Sequence, residues 1–160
     1  MRKIITDIIL IKEKAIIMED LNFTINGRSD TPTRFEGKAR QFSIVVDEPE
    51  NFGGEDSAPT PVEFILAGYA GCLNVVVNLI AKEMGIAIRS LEINITGDIN
   101  PEKLLGISDK ERAGFKLLNI QLDIKSDASK DIIQKLINQV KERCPVNDNL
   151  TNTTPVNYSI

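Results

Sequence analysis

The stretch Thr60–Gly85, "TPVEFILAGYAGCLNVVVNLIAKEMG", decides how the chain folds. Thr60 offers a hydroxyl at N-cap, Pro61 takes N1 and Glu63 takes N3, which together make a capping box with a first-turn proline. Gly85 stands at C′, where a chain leaves a helix with positive φ. These signals predict a central helix over 60–84 that carries Cys72. Phe64–Ala81 contains no charged residue, and about 18 such residues are the least that span a bilayer. Gly68, Gly71, Asn74 and Asn78 interrupt the run, and no other segment has a membranous composition. The expectation is therefore a wholly buried helix, inside a soluble protein or at its dimer interface, with no membrane partner.

Before this helix the chain reads as β structure over 1–47, with strands expected at Ile4–Ile11, Ala15–Ile25 and Ala39–Asp47 and turn-rich pieces such as "NGRSDTP" between them. A polar loop, 48–59, contains Gly53-Gly54 and two prolines, and long loops in compact domains are often functional. After the helix comes a second β region over 86–125, with strands at Ile86–Ile99 and Phe115–Lys125 flanking the polar insertion "NPEKLLGISDKERAG". A second helix follows over 127–144. Ser126 or Asp127 can cap it, Ile132, Ile133, Leu136, Ile137 and Val140 give it an apolar stripe, and Pro145 halts it directly after Cys144. The segment 145–160 is expected to end in a strand near Val156–Ile160. The order predicts a single α+β domain over 1–160, with antiparallel sheets around a very apolar first helix.

Bulk composition removes several function classes. The chain has 160 residues, enough for one core and marginal for two. A net charge of −4 supplies no basic field for a polyanion, so no nucleic-acid partner is expected. With no histidine, imidazole bases and histidine-ligated metals are excluded. Two cysteines make neither a disulfide-dense scaffold nor a four-cysteine zinc site. "MRKIITDIILIKEK" carries charges at Asp7, Lys12 and Glu13 and no small-residue cleavage site, so no secretory signal is expected. A cytoplasmic location is the expectation, and there a cysteine pair is more often catalytic or redox-active than a staple.

Cys72 shares a helical face with Phe64, Gly68, Val75 or Val76 and Leu79. It reads equally as small core filler and as a nucleophile. Cys144, at a junction of helix and proline, is just as open to both readings. A peroxide-reducing thiol needs a nearby cation to hold it as thiolate, because an apolar setting alone raises its pKa. Arg28, Arg34 and Arg40 are the candidates, and each by default is a solvated strand-face charge. Glu63 lies nine positions before Cys72, about 180° around the helix, so it cannot touch that thiol from the same helix. It acts on another subunit, through an arginine, or simply as a cap.

"DEPENFGGEDSAPTPVEFILAGYAGCLNVV", followed by "ERCPVNDNL" and "TPVNYSI", resembles the OsmC/Ohr family of osmotically inducible and organic-hydroperoxide-resistance proteins over about Ala39–Ile160. The resemblance implies an OsmC-like fold, an intertwined homodimer whose antiparallel sheets wrap two central helices, with active sites at the subunit boundary. It assigns Cys72 as peroxidatic and Cys144 as resolving cysteine of a thiol peroxidase acting on organic hydroperoxides. It implies no cofactor beyond an external dithiol reductant, of lipoyl type in the organic-hydroperoxide enzymes of the family. Arg28 in "NGRSD" resembles the family's activating arginine, and Arg40 in "ARQF" lies on the strand entering the long loop. In the peroxidase branches the glutamate directly follows the proline, a place held here by Val62, with Glu63 one position later. The insertion at Asp98–Gly114 also departs from the peroxidase pattern. Two other readings stand beside the enzyme: a non-catalytic homodimer binding a small apolar or thiol ligand, and a structural dimer with inert cysteines.

Overall fold

The computed structural model describes residues 19–160. The expected strand Ile4–Ile11, and most of the one expected at Ala15–Ile25, lie outside these residues. The remainder of the latter, residues 19–25, has no regular structure. The first sheet is antiparallel in the order β1 (Asn26–Ser29), β2 (Phe35–Ala39), β3 (Phe42–Val46). The single strand expected over Ala39–Asp47 is thus the arm of a hairpin. Ala39 pairs with Phe42 across a two-residue turn, with Arg40 at φ 57°. Hairpin turns usually give such a position to glycine or asparagine, so the sequence carries no turn signal there. The Arg40 guanidinium lies 5.1 Å over the Phe42 ring.

Beyond β3 the chain is gathered by one buried carboxylate. Asp47 accepts hydrogen bonds at Oδ2 from the Ser57 hydroxyl (2.8 Å) and from the backbone N–H groups of Ser57 (3.1 Å) and Glu55 (3.2 Å). These bonds, the Ser57 hydroxyl foremost, hold its pKa far below the usual carboxylate range against the opposing cost of burial. The loop 48–59, including a turn of 3-10 helix at Glu50–Phe52, is thereby folded onto the end of β3 and delivers Thr60 to the start of α1.

Helix α1 (Pro61–Glu83) begins and ends as its sequence signals require. Thr60 Oγ1 accepts from Glu63 N–H at 3.3 Å, and Glu63 Oε2 accepts from Thr60 N–H at 2.8 Å. At the other end Gly85 has φ 70°, Ile86 N–H donates to Ala81 O and Gly85 N–H donates to Lys82 O, the paired bonds of a Schellman motif. α1 is long and apolar enough to cross a membrane by length and composition. Within one chain it is not wholly buried, so of the two expected settings the interior of a single chain is not the one found. Tyr69, Leu73, Val76, Val77, Ile80 and Ala81 form the buried stripe, while Phe64, Gly68, Gly71 and Val75 are exposed.

The second sheet is a long antiparallel hairpin of β4 (Ile88–Gly97) and β5 (Leu118–Ser126), joined by the polar insertion. Its alternating residues Leu91, Ile93, Ile95, Leu122 and Ile124 pack one face against the helices. α2 (Lys130–Arg143) is capped by Ser129, whose side chain accepts from Ile132 N–H, rather than by Ser126 or Asp127. It buries Leu136 and Val140 against α1. Pro145 ends α2 as expected, but it also opens a third helix, α3 (Pro145–Thr151), by standing at N1. Val156–Ile160 is exposed and forms no strand with the described residues, so the expected closing strand is absent there. The extensive packing joins α1 with β4, α2 and α3, while the first sheet meets them at the start of α1.

Candidate active site: a thiol pair between three helices

Cys72 sits at mid-length on α1, at the border between its buried and exposed sides. Cys144 is wholly buried at the residue shared by the end of α2 and the start of α3. Packing of these helices brings together two sulfurs at positions 72 and 144. The Cys144 thiol donates to Cys72 Sγ at 3.0 Å. Both are free thiols. Covalent bonding at about 2.05 Å would need the sulfurs to close by roughly 1 Å, within the reach of side-chain rotation.

Asn147 fixes this geometry. Its backbone N–H donates to Cys144 Sγ at 3.4 Å, its side-chain amide donates to Lys141 O at 2.9 Å, and its Oδ1 accepts from the Tyr69 hydroxyl at 2.6 Å. Tyr69 lies one turn before Cys72 on the same side of α1. A chain of contacts therefore runs from α1 through Tyr69 and Asn147 to Cys144 and back to Cys72. Burial raises the Tyr69 pKa, so the phenol stays a hydrogen-bond donor.

Electrostatics favour the thiol over the thiolate at Cys72. Burial pushes its pKa up first, the contact with Cys144 adds to this, and the backbone N–H of Val146 opposes it. The expected cations do not correct it within one chain. Arg28, on β1, is exposed and 3.6 Å from Glu36, and Arg40 stacks on Phe42 in the hairpin turn rather than lying on a strand. Arg34 is held by Glu36 (2.9 Å), Asp30 (3.3 Å) and the Ser57 hydroxyl (3.0 Å). Glu63 is spent on the Thr60 cap, whose N–H and hydroxyl hold its pKa low. Of the six residues singled out in the sequence, then, the fold joins Cys72 and Cys144, while within one chain Glu63, Arg28, Arg34 and Arg40 have other partners. Tyr69 and Asn147 were missed. The available signal was Tyr69 at three residues before Cys72, and Asn147 at N3 after a Cys-Pro helix start.

Next to Tyr69 and Asn147 opens a cavity of about 380 Å3 between α1, β5 and α3, with Ile65, Phe115, Leu118, Ile120 and Leu150 among its walls. Arg112 and Lys116 bring the charges to it. Among the described residues no cluster of His, Cys, Asp or Glu is arranged to hold a metal ion.

An antiparallel α+β chain with a free thiol pair where three helices meet defines a class of protein, and comparison narrows it. The family model for OsmC-like protein matches residues 54–159, and the chain belongs to that family. An OsmC-like protein from Mycoplasma pneumoniae superposes with a TM-score of 0.72 at 25% identity, covering 83% of this chain and 89% of the other. An organic hydroperoxide resistance protein OsmC from Legionella pneumophila gives 0.60 at 17% identity, over 83% and 91%. The organic hydroperoxide resistance protein of Bacillus subtilis gives 0.54 at 19%, over 81% and 90%. No match was found among curated proteins.

Proposed function

We propose that the chain is a thiol peroxidase for organic hydroperoxides, working as a homodimer in the reducing cytoplasm. The 3.0 Å contact between Cys72 and Cys144 carries this reading, because a peroxidatic thiol and its resolving partner must meet. Cys72, the more accessible sulfur, attacks the terminal peroxide oxygen as thiolate. The S–O bond forms, the O–O bond breaks, and the alkoxide leaves with a proton as alcohol. Cys144 then attacks the Cys72 sulfenic acid, forming the S–S bond and releasing the hydroxyl with a proton as water. An external dithiol returns two electrons by thiol–disulfide exchange and is itself oxidised to a disulfide. The apolar surroundings of the pair favour alkyl peroxides over hydrogen peroxide.

The dimer completes the site. Phe64, Gly68, Gly71 and Val75 give α1 an exposed apolar stripe, which supports packing against a second copy. The cation that Cys72 lacks within its own chain would come from Arg28 or Arg40 of the partner subunit. The test is peroxide turnover with a dithiol reductant: the wild type consumes an alkyl hydroperoxide and Cys72→Ser does not. Equal turnover by the two would sink the assignment.

A second reading rests on the raised pKa of Cys72. A thiol kept protonated is a poor nucleophile, and in a dimer that brings it no cation the same cavity would serve to bind a small apolar or thiol ligand.

A further inference from the structure

We propose that Arg112, from the insertion between β4 and β5, selects substrates by charge: the cavity beside Tyr69 takes an amphipathic hydroperoxide with a carboxylate end, and Arg112 holds that carboxylate. This rests on the peroxidase reading of Cys72.

Ile65, Tyr69 and Cys72 stand on one side of α1 at spacings of four and three. Ile65 and Tyr69 line the cavity, which therefore begins one helical turn, about 5 Å along the axis, from Cys72. The α1 and β5 walls are chiefly apolar and suit a hydrocarbon body. The charges of the lining are both positive, Arg112 and Lys116, with no carboxylate among the lining residues. Lys116 is already ion-paired with Glu111. Arg112 has no partner among the described residues. Its guanidinium folds back over Gly114, where an added Cβ would lie 3.3 Å from Nη2 and 3.6 Å from Nε. The missing side chain at Gly114 thus lets the guanidinium lie along the cavity wall. A planar cation with free N–H groups beside an apolar slot matches a carboxylate on a hydrocarbon chain.

The test compares an alkyl hydroperoxide bearing a terminal carboxylate with its methyl ester, in kcat/KM, for wild type, Arg112→Ala and Gly114→Ala. The wild type should prefer the acid by about tenfold, the scale of one charge-assisted hydrogen bond. Arg112→Ala should lose that preference through KM while its turnover of the ester stays unchanged. Gly114→Ala, which crowds the guanidinium but keeps its charge, should lose part of it. The wild-type preference should shrink with added salt. The same acid preference in wild type and Arg112→Ala, or no preference in either, overturns the proposal. Should the wild type reduce neither peroxide, the peroxidase reading has failed, and calorimetry with octanoate and 1-octanol still judges Arg112. Octanoate bound more tightly than octanol by wild type and not by Arg112→Ala supports it, and equal binding refutes it.

Discussion

Cys72 and Cys144 differ in burial, and that difference agrees with the roles proposed for them. Cys72, partly exposed, can meet a substrate, whereas Cys144 is sealed beneath it and can meet only what forms on Cys72. Cys144→Ser should therefore still reduce one equivalent of peroxide and then accumulate sulfenic acid, seen by trapping with dimedone and mass spectrometry. Tyr69→Phe should keep the first reaction but slow disulfide formation severalfold, because Asn147 loses the 2.6 Å bond that ties the Cys144 junction to α1. Stopped-flow measurement of the two phases separates these effects. The cysteines were legible in the sequence because they are the chain's two thiols, each at a helical position. Their contact was not, since it depends on how α1 packs on α2 and α3. Arg112 was hidden for a related reason: a cation in a polar insertion looks like solvated surface until the fold sets it beside an apolar wall.

At the scale of elements, α1 was legible at both ends because its cap residues are adjacent in sequence to the helix they terminate. Thr60→Ala removes the capping hydroxyl and should cost about 1 kcal/mol, or roughly 2–4 °C in Tm for a chain of this size. Other boundaries moved where the deciding contact was less local. The β2–β3 turn uses Arg40 at positive φ in place of glycine, and α3 is a short helix that a Cys-Pro sequence announces only as a stop. The loop before α1 hangs on Asp47, and this gives a pH signature. Its folded pKa is depressed, so its contribution is present above the unfolded carboxylate value of about 4 and is lost as pH falls below that towards the folded pKa. Asp47→Asn should melt below wild type at pH 7, and the gap should narrow as pH drops beneath 4 in a thermal series.

As a whole molecule the chain has two halves joined mainly at the start of α1, with an apolar stripe left uncovered on its central helix. The homodimer proposed above would cover that stripe, and sedimentation equilibrium should then give twice the chain mass. Val75→Glu, a charge set into the stripe, should give monomers and lose peroxidase activity together, if the partner subunit supplies the cation for Cys72 as proposed. The apolar run was readable from the sequence, but which of its sides faces the chain's own core was not, since nearly every side is apolar. Whether the sulfur contact is used is decided by titrating free thiols in the reduced wild type before and after one equivalent of an alkyl hydroperoxide, with the product run on a non-reducing gel. Loss of both thiols with the product still migrating as a single chain is the expected result, an internal Cys72–Cys144 disulfide. Two thiols surviving the peroxide would contradict it and leave the fold a binding module.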